Sequence, residues 1–502
     1  MGVKNIMKKA ITVLLATFVL LICNLTFNIE NGLSQWQADV RMTNDPQLSF
    51  TSFGNARCVA ANGDVVHVVW YSGDTVGVNG WDIFYKRSTD KGSTWSTAVN
   101  LSNNGLISYN PAIAVSGSDV HVVWFGNGDG NYEEYYIRST DGGITWEPKV
   151  RLTNALNSSA HGSIAASGSN VHFVWMDYRN GKCEVFYKKS VDAGVNWSED
   201  LLLNNSGVKS YMPAVAVSGS VVHVVWADSI AGNWEIYYKR SVDGGITWGA
   251  DTRLTNNSAV SNYPTLAVSG STVHIVWTDN RNKTVTLFYK RSTNGGVTWG
   301  SDVEIFKKGP NYSRQFPSIA VEGSNVHVVY SQFVIGGPEI YYVSSVNAGV
   351  NWGSDVRLTN SADYSYIPSI AVLNGNINVL WRDYRDGNWE IYYKRYINSP
   401  KNNLTRTTNM NTGTPDKFSL SQNYPNPFNP VTNINFDIPK QGFVNLKIYD
   451  LLGREIQSLV NENLCAGSYS VNWDASPFSS GTYIYRIETQ GFAEVKRMLL
   501  IK

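Results

Sequence analysis

Between residues 36 and 396, apolar and polar positions alternate in short runs, and the runs themselves recur. In one period Pro111-Ala-Ile-Ala-Val115 predicts a first strand and a Ser-Gly-Ser turn follows. Val120-His-Val-Val-Trp124 predicts a second strand, whose β-branched residues suit a pleated, buried surface. Glu134-Tyr-Tyr-Ile-Arg-Ser139 predicts a third, and after a tight turn Trp146 through Thr153 predicts a fourth. The second-strand pattern occurs seven times, ending at Trp70, Trp124, Trp175, Trp226, Trp277, Tyr330 and Trp381. Self-similarity at a period of about 51 residues points to a propeller, solenoid or array.

The turn before the fourth strand is itself a motif. Ser139-Thr-Asp141-Gly-Gly143-Ile-Thr-Trp146 is one of six copies of Ser-x-Asp/Asn-x-Gly-x-x-Trp, the others beginning at Ser88, Ser190, Ser241, Ser292 and Ser345. A short carboxylate or amide can accept N–H bonds from its own turn, Gly permits positive φ, and Trp buries between strands. Asp90, Asp141, Asp192, Asp243, Asn294 and Asn347 are therefore read as scaffold rather than as six active sites. Seven second strands and six boxes leave the last repeat one strand short, since Ile391-Tyr-Tyr-Lys-Arg395 is followed by Tyr396 and a polar segment. The stretch from Trp36 to Asn44 matches that from Trp352 to Asn360, so it is expected to pair as the outer strand of the last repeat. The expected fold is all-β: a seven-bladed β-propeller of four-stranded blades, closed by its N-terminal strand, plus a small C-terminal β-sandwich. Closure protects strand edges that an open array would leave unpaired.

Composition narrows the function. Charged residues are 16% of the chain and balance to +1, so there is no basic field for nucleic acid. Lys4, Lys8 and Lys9 precede an apolar run from Ala10 to Cys23, which reads as a signal peptide within residues 1–28 and is too short to span a bilayer. No transmembrane span is expected after its removal. Cys58, Cys183 and Cys465 then remain, too few and too scattered for a disulfide framework, so stability is expected from packing and ring closure. Six histidines share one second-strand position (His67, His121, His172, His223, His274, His327), with Asn378 in the seventh. Each belongs to a different blade, too far apart to share one ion, so no metal site and no cofactor are expected, and hydrogen bonding between blades accounts for them.

The box Ser-x-Asp-x-Gly-x-x-Trp, placed between third and fourth strands over residues 36–396, resembles the Asp-box (bacterial neuraminidase) repeat of the sialidase-like superfamily. A polar linker at 397–417 leads to a domain at 418–502 with four alternating segments, which predict an antiparallel sandwich. Its opening Asn423-Tyr-Pro-Asn-Pro-Phe428, Ile448-Tyr-Asp-Leu-Leu-Gly453-Arg, Ser480-Gly-Thr-Tyr483 and closing Lys496-Arg-Met-Leu-Leu-Ile-Lys502 resemble the C-terminal sorting domain of type IX secretion cargo. That resemblance implies the type IX machinery as a partner, and an extracellular or outer-membrane-surface location in a Gram-negative bacterium.

A site is expected on the face whose loops vary, opposite the boxes. Near the starts of the first strands lie Arg57, Tyr109, His161, Tyr211, Tyr263, Arg314 and Tyr366. Asp177, Arg179, Asp279, Arg281, Asp383 and Arg385 follow in the loops after the second strands. Aromatic faces with Asp and Arg are what sugar rings bind through stacking and bidentate hydrogen bonds, although repeated Asp-x-Arg also reads as local ion pairing. The resemblance further implies a Tyr nucleophile with a Glu partner, an Asp acid/base and three clamping arginines for a sialidase. Only Arg57 occupies a matching position, as Arg57-Cys-Val, and no catalytic residues are assignable. The leading reading is a secreted or surface-displayed propeller that binds a glycan or cell-surface polymer. The alternatives are an exo-sialidase-like glycoside hydrolase and a non-catalytic adhesion scaffold.

Overall fold

The computed structural model describes residues 35–44, 46–53, 56–74, 80–103, 105–128, 130–204, 206–230, 232–306, 313–361, 363–397, 405–406, 415–475 and 478–502. The expected signal peptide and most of the expected linker lie outside these residues. The chain divides into two compact units, one spanning Trp36–Ile397 and one containing the residues from Asn398 to Lys502. Among the described residues there are strands and turns and no helix.

Each repeat of the first unit folds as one antiparallel sheet. Ser108–Ser116, Asp119–Gly126, Glu133–Ser139 and Val150–Arg151 lie side by side in sequence order, and the same order recurs in the sheets beginning at Ser159, Ser210, Ser261 and Arg314. In the first repeat the inner strand is split into Leu48–Phe50 and Val59–Asn62, both paired to Val65–Gly73. In the last repeat, Ser365–Leu373, Asn376–Asp383 and Glu390–Ile397 are completed by Gln35–Trp36 and Val40–Arg41 from the other end of the chain. Val40 faces Tyr393 and Arg41 faces Tyr392, and the Met42 N–H donates to the Ile391 carbonyl. Arg41 reaches Glu390 at 2.9 Å, as Arg151 reaches Glu133 and Arg253 reaches Glu235, both at 3.0 Å, so the N-terminal stretch reproduces the ion pairs of an ordinary fourth strand.

Apolar side chains from neighbouring sheets fill the spaces between them. Trp70, Trp124, Trp175, Trp226, Trp277 and Trp381 are fully buried, each worth about 4–6 kcal/mol of gross apolar burial at ~25 cal/mol per Å². A second device repeats at each interface. The second-strand histidine bonds the hydroxyl of a third-strand tyrosine in its own sheet at 2.7–2.8 Å, as in His121–Tyr136 and His172–Tyr187. Asn378 makes the same bond to Tyr393. This corrects the expectation of histidine bonds between blades, because it is the tyrosine that crosses. Its hydroxyl lies against the box glycine of the next sheet, where a Cβ on Gly143 would fall 1.9 Å from Tyr85 Oη. The box tryptophan then meets the same ring edge-on, Trp146 on Tyr85 at 4.8 Å. Trp36 packs on Tyr342 in this way at 5.0 Å, supplying the tryptophan that the boxless last repeat lacks.

The boxes are turn braces. Asp141 Oδ1 accepts from the Ser139 hydroxyl and the Ile144 and Thr145 N–H groups, and its Oδ2 accepts from the Thr145 hydroxyl. These bonds hold its carboxyl well below the usual carboxylate range. Asn294 and Asn347 make the corresponding bonds in their own turns.

The second unit holds two four-stranded antiparallel sheets. Ile434, Phe436 and Trp473 from one and Leu446, Ile448, Tyr485 and Ile487 from the other share one core. Cys58 and Cys183 are buried free thiols, so the first unit is held by packing.

Candidate functional site

Six inner strands break register at one level, between Tyr109 and Ala112 and at the matching places in the five that follow. The bulged residue has positive φ in every case: Asn110 50°, His161 59°, Met212 50°, Tyr263 52°, Phe316 54° and Ile367 50°. Left-handed backbone is costly for bulky residues, roughly 1–3 kcal/mol each, and such strain concentrates where function is built. The ring of bulges lies at the end opposite the boxes, whose backbone N–H groups bond instead to the turns at Asp64, Ser118 and Ser169.

Across this mouth lies the segment that splits the first inner strand. The Thr51 hydroxyl donates to the Ile367 carbonyl and the Ser52 hydroxyl to the Pro111 carbonyl, tying the segment to the sheets on both sides. Phe53 then sits 6.4 Å from the His161 ring and 6.1 Å from Phe316, three sheets apart, and so reaches across the mouth.

The expected site residues separate into three groups. Asp177, Asp279 and Asp383 are buried acceptors for the tryptophan indole and inner-strand serine of their own sheets, as in Trp175 Nε1 and Ser159 Oγ onto Asp177. Arg179, Arg281 and Arg385 clamp these same carboxylates in two-pronged pairs and also reach Asp200, Asp302 and Asp39. Each guanidinium lies over a ring, of Phe186, Phe288 or Tyr392. These six residues are joined to one another within the sheets, the local ion pairing that the sequence left open.

The arginines form the second group, and the structure does not bring them together. Arg57 lies inside the channel with Nη2 on the Leu266 carbonyl at 2.9 Å. Arg314 is buried over Phe306. Arg382, which the sequence reading did not single out, sits among Phe50, Tyr366 and Trp389 at 5.0–5.1 Å.

The remaining residues line the mouth. His161 packs on Phe125 and Tyr211 and faces Asn110 at 3.3 Å, with burial lowering its pKa to about 4. Tyr109 packs on Tyr71 and Trp81, and Tyr366 on Phe316. Tyr263 is a bulged residue, one place beyond the level of Tyr109, Tyr211 and Tyr366; Asn262 is their true counterpart, and Arg314 is one place early. Phe53, Asn110, Met212, Phe316 and Ile367 were missed, although the residue before each inner-strand proline marks all five of the bulges that this list and Tyr263 contain.

Beside Tyr263 is a cleft of about 140 Å³ lined by Val260, Asn262, Tyr263, Thr278, Asp279, Asn280, Val285 and Gln315. Asn262 Oδ1 accepts from the Tyr263 N–H and Asn280 Oδ1 from the Val260 N–H, which fixes both amides. Among the described residues their Nδ2 groups and the Tyr263 hydroxyl have no protein partner, and all three residues line this one small space. No group of His, Cys, Asp and Glu among the described residues is placed to hold a metal ion.

Residues 22–229 match the family model of the BNR repeat-like domain, and residues 422–502 match that of the secretion system C-terminal sorting domain. The chain carries a BNR-repeat domain followed by a type IX sorting domain. The sorting domain marks the chain for secretion. Xyloglucanase Xgh74A of Acetivibrio thermocellus is 29% identical over 191 residues, 32% of this chain. The chain spans about a fifth of that curated relative's length (22%). Polysaccharide lyase Uly1 shares the fold at 11% identity and a TM-score of 0.50, over 72% of this chain and 99% of that one. Trypanosoma rangeli sialidase aligns at 11% identity and a TM-score of 0.43, over 92% of this chain and 89% of its own. No helix among the described residues is long and apolar enough to cross a membrane.

Proposed function

We propose that the first unit is a closed seven-bladed β-propeller that binds a glycan or cell-surface polymer on the face opposite its boxes. The second unit is then the β-sandwich that takes it through type IX secretion to the surface of a Gram-negative cell or into the medium. The observation that carries the binding role is the cleft at Tyr263, where two fixed amides and an aromatic ring line one space. Sugars are held by that combination of a ring and oriented polar groups. The match to a xyloglucanase and the fold shared with a polysaccharide lyase point to polysaccharide as the ligand class.

Binding is favoured over hydrolysis because Asp279, the carboxylate lining the cleft, is taken up by Arg281, Ser261 and Trp277. It is favoured over a passive scaffold because a concave polar cleft exists. Polysaccharide pull-down and glycan-array binding are expected to detect a ligand. Tyr263→Ala and Asn262→Ala should each weaken it about tenfold, the loss of roughly 1.4 kcal/mol of contact. Wild-type protein that retains no glycan of any class would remove this reading.

A further inference from the structure

The central channel encloses about 220 Å³, and its lining comprises Arg57 and the alanines, valines and isoleucines of the seven inner strands. One ring of that wall is alanine throughout: Ala60, Ala114, Ala165, Ala216, Ala267, Ala320 and Ala371. Small residues are needed there because the inner strands converge. Arg57 stands where five other inner strands carry proline and one carries Gly162. It reaches across the axis from the first sheet to the Leu266 carbonyl of the fifth.

This cation is uncompensated. Among the described residues no carboxylate lines the cavity and Arg57 makes no ion pair. The guanidinium lines the cavity, and among the described residues the Leu266 carbonyl is the one acceptor for a side chain with five N–H donors. A lysine or histidine could shed its proton to escape such a place, but a guanidinium cannot. Holding it unpaired in an apolar-walled channel is costly, so the fold gains by admitting a counter-charge. The space has the volume of about seven waters at ~30 Å³ each, enough for a small anion and its remaining hydration. The surrounding strands are inner edges, whose outward main-chain groups add further polar contacts.

We propose that the channel is an anion site, in which a halide or a short carboxylate rests on Arg57 and ties the inner strands together. The site is separate from the glycan cleft, with which it shares no lining residue.

Thermal unfolding of the full chain in chloride, acetate and a bulky morpholine sulfonate at equal ionic strength tests this. Chloride or acetate at about 150 mM should raise Tm by about 2 °C over the sulfonate, as mass action predicts for a site near saturation in a protein of this size. A rise in chloride alone assigns a halide, and a rise in acetate assigns a carboxylate. Arg57→Met should abolish the increment, and an increment retained in that variant would overturn the proposal. Should the variant fail to fold, bromide-soaked crystals of the wild type decide: an anomalous peak about 3.5 Å from the guanidinium is expected. No peak in the channel, with equal Tm in all three salts, would mean that water alone solvates Arg57.

Discussion

Acidification from pH 7 to pH 4 is expected to unfold the first unit cooperatively, and the buried histidines are the cause. His67, His121, His172, His223, His274 and His327 are buried and bonded to tyrosines, and burial, aided in most cases by a nearby Arg or Lys, lowers each pKa from 6.5 to about 4. Below pH 6.5 an unfolded chain takes up protons that the folded chain refuses. Stability present above pH 6.5 is therefore lost as pH falls toward 4, at about 1.4 kcal/mol per histidine per pH unit. Over two units, six sites together exceed ~10 kcal/mol, comparable with the whole stability of an ordinary domain. The box carboxylates do not contribute in this window, because their pKa values lie below it. Asn378 with Tyr393 shows the replacement that keeps the bond without the titration. Changing His121, His223 and His274 together to Asn should move the acid midpoint, read by circular dichroism, down by about half a pH unit. An unmoved midpoint would mean that these histidines do not govern acid stability.

The second large effect concerns Glu134 and has the opposite sign. Register places Glu133 opposite Gly126, just as Glu184 lies opposite Asp177 and Glu235 opposite Asp228. Glu134 thus falls at the level of Val185, Ile236, Leu287, Ile340 and Ile391, all core residues. Both of its oxygens are buried without a well-formed hydrogen bond, although the Gly162 N–H faces them. Burial pushes its pKa from 4.5 up to about 8, with Glu133 and Asp177 adding to the rise. Room for it comes from Gly162, where a Cβ would meet Phe173 at 2.5 Å and Glu134 Oε2 at 2.8 Å. Between pH 4.5 and 8 the unfolded chain has released a proton that the folded chain keeps, so each rising unit removes about 1.4 kcal/mol. Glu134→Leu, the residue of the fifth repeat, should stabilise the protein by about 3–4 kcal/mol at pH 9 and much less at pH 5, measured by denaturant unfolding. Glu134→Gln should flatten the alkaline slope while keeping the shape. Equal slopes in wild type and Glu134→Gln would show that this carboxyl is not held neutral.

The scaffold was legible because each of its devices recurs in one-dimensional order. The boxes, the buried tryptophans and the kinship of Trp36–Asn44 with Trp352–Asn360 all follow from spacing alone. What sequence could not place is anything set by a local slip in register. Tyr263 was grouped with Tyr109 because both precede an inner-strand proline closely, yet it sits one place nearer its proline and its true counterpart is Asn110, the bulged residue whose side chain faces differently. The split inner strand of the first repeat has no counterpart in the other repeats, so no periodicity could reveal that Phe53 reaches both His161 and Phe316. Asp177, Asp279 and Asp383 looked available to a ligand because sequence shows their loop positions and not the indole N–H groups that point at them.

The ring rests on the two ends of the first unit sharing one sheet. Its most direct test is amide hydrogen exchange at Met42, whose N–H donates to the Ile391 carbonyl as Leu152 donates to Glu134 and Leu203 to Val185. Met42 should be protected to within about tenfold of Leu152 and Leu203, since all three would open only with their sheets. Exchange at Met42 as fast as in an unfolded chain, with Leu152 and Leu203 still protected, would contradict closure of the ring by the N-terminal stretch.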